Sequence, residues 1–184
     1  MVDELKESAR LQEWLAEHLA PDIARAAEAL VDAYRRGGKV LLCGNGGSAA
    51  ESQHLAAELM GRFRRERRPL AAVALTTDTS VLTALGNDFG FEEVFLRQVE
   101  ALVQPGDVLV ALSTSGRSQN VNRAVRRAGE LGATSIGLLG GSGGELAGLV
   151  DIPLLVPSDV SARVQECHLT ISHILCALVE EQVT

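Results

Sequence analysis

Apolar positions follow two rhythms along this chain, and the change between them falls near residue 38. Up to that point Leu11, Trp14, Leu15, Ile23, Ala27 and Leu30 recur at spacings of three, four and seven, the signature of helices with one apolar stripe. The pattern predicts helices over Glu4–Leu19 and Pro21–Arg36. Pro21 stands at a first-turn position and Gly37-Gly38 closes the second helix. Beyond it come five short apolar runs, Val40–Cys43, Ala71–Leu75, Val108–Leu112, Ser135–Leu139 and Ile152–Val156, separated by helix-like segments. Near-continuous runs of this length predict buried parallel strands. Two helices followed by alternating β and α units give an α/β domain of three layers around a five-stranded parallel sheet. No linker or repeat divides the chain, so one domain is expected over 1–184, with N-terminal helices in 1–36 and the α/β core in 37–184. Gly140–Gly144, GGSGG, lies between a strand and a short helix and predicts a loop at the carboxyl edge of the sheet.

Composition narrows the partners. The 184 residues are 46% apolar, enough for a sizeable core, and the formal net charge of -7 argues against nucleic acid or an anionic membrane. Five arginines between Arg62 and Arg68 read as a solvated loop, with Arg62 set apart as a candidate substrate contact. Cys43, Cys167 and Cys176 are odd in number and sit among apolar neighbours, which predicts buried free thiols in a reducing compartment. With no charge-free apolar run of membrane-spanning length, the expectation is a soluble, cytoplasmic protein.

The candidate chemistry is concentrated in a few segments. KVLLCGNGG, Lys39–Gly47, is an apolar run ending in a glycine turn and restarting as a helix, so the N–H groups around Asn45, Gly46, Gly47 and Ser48 form an anion cradle. DVLVALSTSGRS, Asp107–Ser118, repeats the idea with Ser113, Thr114, Ser115 and Ser118 around one glycine. Two such loops at the carboxyl edge of one sheet suggest a phosphorylated small molecule held between them. His54 and Glu58, four apart on the helix leaving the first loop, share a face that suits a metal pair, an acid/base pair or a plain surface pair. On the C-terminal helix, Ala162–Leu178, Gln165 and His173 are two turns apart and about 80° around the axis, so they can converge. His168 points about 140° away from His173. Gly86-Asn87-Asp88-Phe89-Gly90 reads as a polar corner, either a turn or a carboxylate placed for sugar hydroxyls.

CGNGGS (Cys43–Ser48), HLAAELMGR (His54–Arg62), GNDFGF (Gly86–Phe91), STSGRS (Ser113–Ser118) and RVQECHLTISH (Arg163–His173) together resemble the phosphoheptose isomerases of the sugar isomerase (SIS) superfamily, in order and over nearly the whole chain. The resemblance implies a flavodoxin-like SIS domain and a cytoplasmic homotetramer. The implied reaction converts D-sedoheptulose 7-phosphate to D-glycero-D-manno-heptose 7-phosphate, toward heptose units of lipopolysaccharide or other surface glycans. It implies Glu58 and His173 as the acid/base pair, and Ser113, Thr114, Ser115 and Ser118 as the phosphate loop. Asn45, Gly46, Gly47, Ser48, Arg62, Asn87, Asp88 and Gln165 become further substrate contacts. It also implies one zinc ion per subunit, held by His54, Glu58, Gln165 and His173, and a site between subunits.

Moving a carbonyl between neighbouring carbons through an enediol calls for a base such as a carboxylate and an acid such as an imidazole, which Glu58 and His173 would supply. One position departs from the resemblance. Some phosphoheptose isomerases carry an acid three residues before the matching glutamine, where this chain has Ala162. The segment SARVQE also resembles non-catalytic SIS proteins that bind a bacterial replication initiator, but those lack the catalytic histidine and this chain keeps Glu58 and His173.

Overall fold

The apolar runs beyond residue 38 become one parallel sheet. The computed structural model describes residues 1–183; Thr184, the last residue of the expected domain, lies outside them. In chain order the elements are α1 (Val2–His18), α2 (Ala20–Arg35), β1 (Val40–Gly44), α3 (Gly47–Met60), β2 (Ala72–Ala74), α4 (Thr79–Phe89), α5 (Leu96–Leu102), β3 (Val108–Ser113), α6 (Gln119–Glu130), β4 (Thr134–Gly140), β5 (Ile152–Val156) and α7 (Ser161–Val183). The strands lie in the order β2-β1-β3-β4-β5, all parallel. This is the flavodoxin-like arrangement, with its switch point between β1 and β3.

Alternation along each strand sorts side chains between two cores. Val40, Leu42, Val108, Val110 and Leu112 face one side, packed with Ile23, Leu30, Leu55, Leu59, Ile171 and Leu175 of α2, α3 and α7. Leu41, Cys43, Leu109 and Ala111 face the other, with Val99 of α5 and Val121, Ala124 and Val125 of α6. The central strands β1 and β3 are buried throughout, which is why they read as unbroken apolar runs. The edge strands differ. β2 shortens to three residues with Val73 exposed, and β5 alternates in burial and tolerates Pro153, as an edge strand can.

The stripe on α1 and α2 packs mostly inward: Leu15, Ile23, Ala27 and Leu30 are buried, and Leu11 and Trp14 lie half-buried against the same core. Two expectations need correcting. Residues 86–89 are not a corner but the last turn of α4, which Gly90 ends at φ 92. A helix capped at its start by Asp78, whose side chain accepts from Val81 N at 2.9 Å, tolerates Gly, Asn and Asp in its final turn. The basic run is also not uniformly solvated. Arg67 has a side chain only 2% exposed and lies 3.3 Å from the equally buried Glu180 carboxylate. Among the described residues no helix is long and apolar enough to cross a membrane.

Candidate active site

The two loops expected to hold an anion lie at neighbouring strand ends, after β1 and β3. Gly46 adopts φ 56, open to glycine alone at low cost, and caps α3. At Gly47 a Cβ would meet the Gln165 carboxamide, so a larger residue would displace the end of that side chain. Gln165 of α7 therefore rests on the start of α3. Across the switch point, Ser113 Oγ accepts from Gly116 N at 3.1 Å and lies 3.5 Å from Ser118 Oγ, while Ser115 Oγ accepts from Arg117 N at 3.3 Å. Thr114 Oγ1 is 3.3 Å from Ser161 Oγ at the start of α7. Thr114, Ser115 and Ser161 line a cavity of about 200 Å³ together with Arg117, Ser142 and Asp159. Arg117 escaped the sequence reading, which weighed only hydroxyls in this loop. It brings a cation to a cavity that Asp159 partly offsets. Ala162 is exposed in the first turn of α7.

Helices α3 and α7 run side by side in the same direction, and paired contacts mark the register. Gly47 meets Gln165, Glu51 Oε2 lies 3.9 Å from the fully buried His168 Nδ1, and His54 Nε2 lies 2.9 Å from His173 Nε2. His54 Nε2 is also 3.6 Å from Glu58 Oε1. His54, Glu58 and His173 thus offer three ligand atoms within 4.8 Å of one another. His168 points away from this cluster into the α3–α7 contact, as the helical wheel required. Past the end of α3, Phe63 stacks on His173 with ring centroids 5.4 Å apart.

That aromatic cover is held by Glu180 near the end of α7. Its carboxylate accepts from the backbone N–H groups of Phe63, Arg64 and Arg65 at 3.1, 2.8 and 2.9 Å, with Arg67 beside it. Burial works to raise its pKa, but these N–H groups and the guanidinium prevail and hold the carboxyl below the usual carboxylate range. Arg67 in turn donates to the carbonyls of Glu58, Leu59, Gly61 and Arg68, fixing the end of α3. Sequence reading missed this pair, because Glu180 sits beside Glu181 and Gln182 and reads as part of a polar helix end.

Two nitrogens and a carboxylate form a donor set that suits zinc or a similar divalent cation. Two Nε2 atoms at 2.9 Å require either one shared proton or a cation between them. The structure ties Gln165 to the first cradle, two turns above His173. It does not gather every candidate: Asn87 donates to its neighbour Asp88 at 2.8 Å, both exposed on α4, and Arg62 is exposed just beyond α3. The three thiols are buried, and burial pushes those of Cys43 and Cys176 up to about 12 and that of Cys167 to about 11, so none is an activated nucleophile.

A family model described as the SIS domain matches residues 5–140. The phosphoheptose isomerase of Geotalea daltonii is 54% identical over 187 aligned positions, covering all of this chain and 97% of that protein. Solved phosphoheptose isomerase structures superpose closely. The one from Neisseria gonorrhoeae has 45% identity and a TM-score of 0.93, covering 98% of this chain and 96% of that one. The one from Francisella tularensis has 43% identity and a TM-score of 0.94, covering 97% and 95%.

Proposed function

The chain belongs to the phosphoheptose isomerases, sugar-phosphate isomerases of the SIS domain family, and on that premise we propose that it interconverts D-sedoheptulose 7-phosphate and D-glycero-D-manno-heptose 7-phosphate for surface-glycan heptose. The observation that carries this reading is the convergence of His54, Glu58 and His173 from two helices within 4.8 Å. The phosphate is held by Ser113, Thr114, Ser115 and Ser118 at the start of α6, where hydroxyls, N–H groups and the helix dipole favour an anion. Asn45, Gly46, Gly47, Ser48 and Gln165 bind the sugar chain, and Arg62, Asn87 and Asp88 are further contacts whose side chains stand exposed in the single chain.

Glu58 accepts a proton from C1 of the ketose while His173 delivers one to O2, giving an enediol. The reverse traffic, loss of the O1 proton and return of a proton to C2, leaves the aldose. His54, Glu58 and His173 would hold one zinc ion, with Gln165, which rests on Gly47 in the single chain, the fourth ligand that the family resemblance implies; when bound, the ion would supply Lewis-acid stabilisation of the enediolate oxygens. The enzyme works as a cytoplasmic homotetramer whose subunits share the site. Support comes from the half-exposed cluster and from an apolar groove of about 260 Å³ that Leu15, Ile23, Ile174 and Leu178 leave open on one chain. A regulatory SIS protein would have no need of the Glu58–His173 pair.

The test is product analysis by NMR after incubation with sedoheptulose 7-phosphate in D₂O. Aldose carrying deuterium at C2 is expected. A folded protein that leaves the heptulose phosphate unchanged, with or without added zinc, sinks the proposal.

A further inference from the structure

Asn120 is almost fully buried at the second position of α6, outside every motif that suggested a site. Its side chain makes a reciprocal amide pair with Asn45: Asn45 Nδ2 donates to Asn120 Oδ1 and Asn120 Nδ2 donates to Asn45 Oδ1, each at 2.9 Å. The orientation is not arbitrary. Val121 N also donates to Asn120 Oδ1 at 3.0 Å, so the helix backbone dictates which end of the Asn120 amide is the acceptor. Asn45 must then present its nitrogen there and its oxygen opposite. A backbone N–H on α6 thereby sets the orientation of a side chain in the other cradle, across the switch point.

The place of this pair gives it consequence. β1 and β3 are adjacent, Gly44 beside Leu112, yet their following helices leave to opposite faces of the sheet. The loops at 45–48 and 113–118 therefore border a crevice that no backbone ladder closes. The amide pair bridges it. A second buried asparagine on the same turn, Asn122, serves a different loop, donating to Glu145 Oε2 at 2.9 Å.

We propose that Asn120 is a positioning residue that clasps the two loops, so that a sugar phosphate with its phosphate in the 113–118 loop finds Asn45 at a fixed distance and orientation. The proposal rests on the binding of a sugar phosphate between these loops. A ligand spanning both should feel the loss of the clasp, whereas an ion occupying only the hydroxyl loop should not.

Asn120→Ala is expected to raise KM for sedoheptulose 7-phosphate at least tenfold with kcat within threefold. The inhibition constant of inorganic phosphate should stay within twofold, and Asn122→Ala should leave KM within twofold. KM within twofold in Asn120→Ala, phosphate inhibition weakening in step with KM, or the same KM rise in Asn122→Ala each overturns the clasp. Should Asn120→Ala not fold, Asn120→Asp takes its place: it keeps the acceptor and loses the donor to Asn45, and the same KM and phosphate criteria apply. A substrate-free readout separates this from the functional reading. The Asn45 carboxamide protons should exchange slowly with solvent in the wild type and at least tenfold faster in Asn120→Ala, which removes the oxygen that accepts from Asn45 Nδ2. Unaltered exchange overturns the clasp. A wild type without heptulose phosphate turnover removes the functional reading and leaves this exchange measurement to decide the clasp.

Discussion

The two ends of the site are built differently. The proposed phosphate end is a set of short loops at strand ends, whose donors are backbone N–H groups and hydroxyls bonded among themselves. The proposed acid–base end is a side-chain cluster from two parallel helices, joining residues 119 positions apart in sequence, and it faces outward: the side chains of His54 and Glu58 are 43% and 25% exposed. Anion binding tolerates such separation of duties because charge-assisted hydrogen bonds act at a loop with little help. Proton transfer to carbon demands exclusion of water, so the open end is where the proposed partner subunit and the substrate have most to add. The phosphate end should therefore govern affinity and the helical end the rate.

The largest expected effect breaks the comparison at the rate end. Glu58→Gln should lower kcat about 10⁴-fold, the upper range for a lost general base, with sugar-phosphate binding by calorimetry nearly unchanged. Loss of binding with retained kcat would reverse the assignment of the two ends. At the other end, replacing Ser113, Thr114 and Ser115 together by alanine removes hydrogen bonds to a charged group worth roughly 1.5–3 kcal/mol each. KM should rise by at least about 10³-fold while kcat at saturation holds within a few fold. An unchanged KM would place the phosphate elsewhere.

A third variant sharpens the comparison by disturbing the cover of the helical end without touching the reacting groups. Glu180→Gln leaves the buried Arg67 without its counter-charge and should cost about 3 kcal/mol in urea unfolding. It should also loosen Phe63 against His173, lowering kcat more than it alters KM. The pH dependence has a definite sign. Because the folded Glu180 carboxyl titrates below its unfolded value, its contribution is present above about pH 4.3 and fades as pH falls through the folded value. The stability gap between wild type and Glu180→Gln should accordingly close in acid, and a gap that widens there would refute the ion pair as its source. The smallest effect concerns the thiols. With Cys43 and Cys176 buried and pushed up to about 12, labelling by a thiol reagent at pH 7 should require unfolding. Rapid labelling of the native protein would contradict that burial.

Most of the fold was legible because helix and strand periodicities are local. The central strands appear as apolar runs since both faces are covered, and Gly46-Gly47 announces a turn in which Gly46 takes a φ of 56 that favours glycine. The errors lie where local chemistry is ambiguous. Gly86, Asn87 and Asp88 have weak helix propensity, yet a capped helix carries them to Gly90. Arg67 sits among four other arginines, and nothing in its neighbours distinguishes the one that turns inward.

The sequence by itself determined the alternation of elements, the two cradles and the shared face of His54 and Glu58, because each depends on residues a few positions apart. Only the tertiary structure decided that His173 meets that face while His168 does not reach it, that Glu180 reaches back to secure the loop after α3, and that Asn45 and Asn120 clasp across the switch point. These pairings span 75 to 119 positions. They are fixed by the way α3 and α7 bury their apolar faces on one side of the sheet while α6 covers the other, and such packing leaves no periodic trace in the chain.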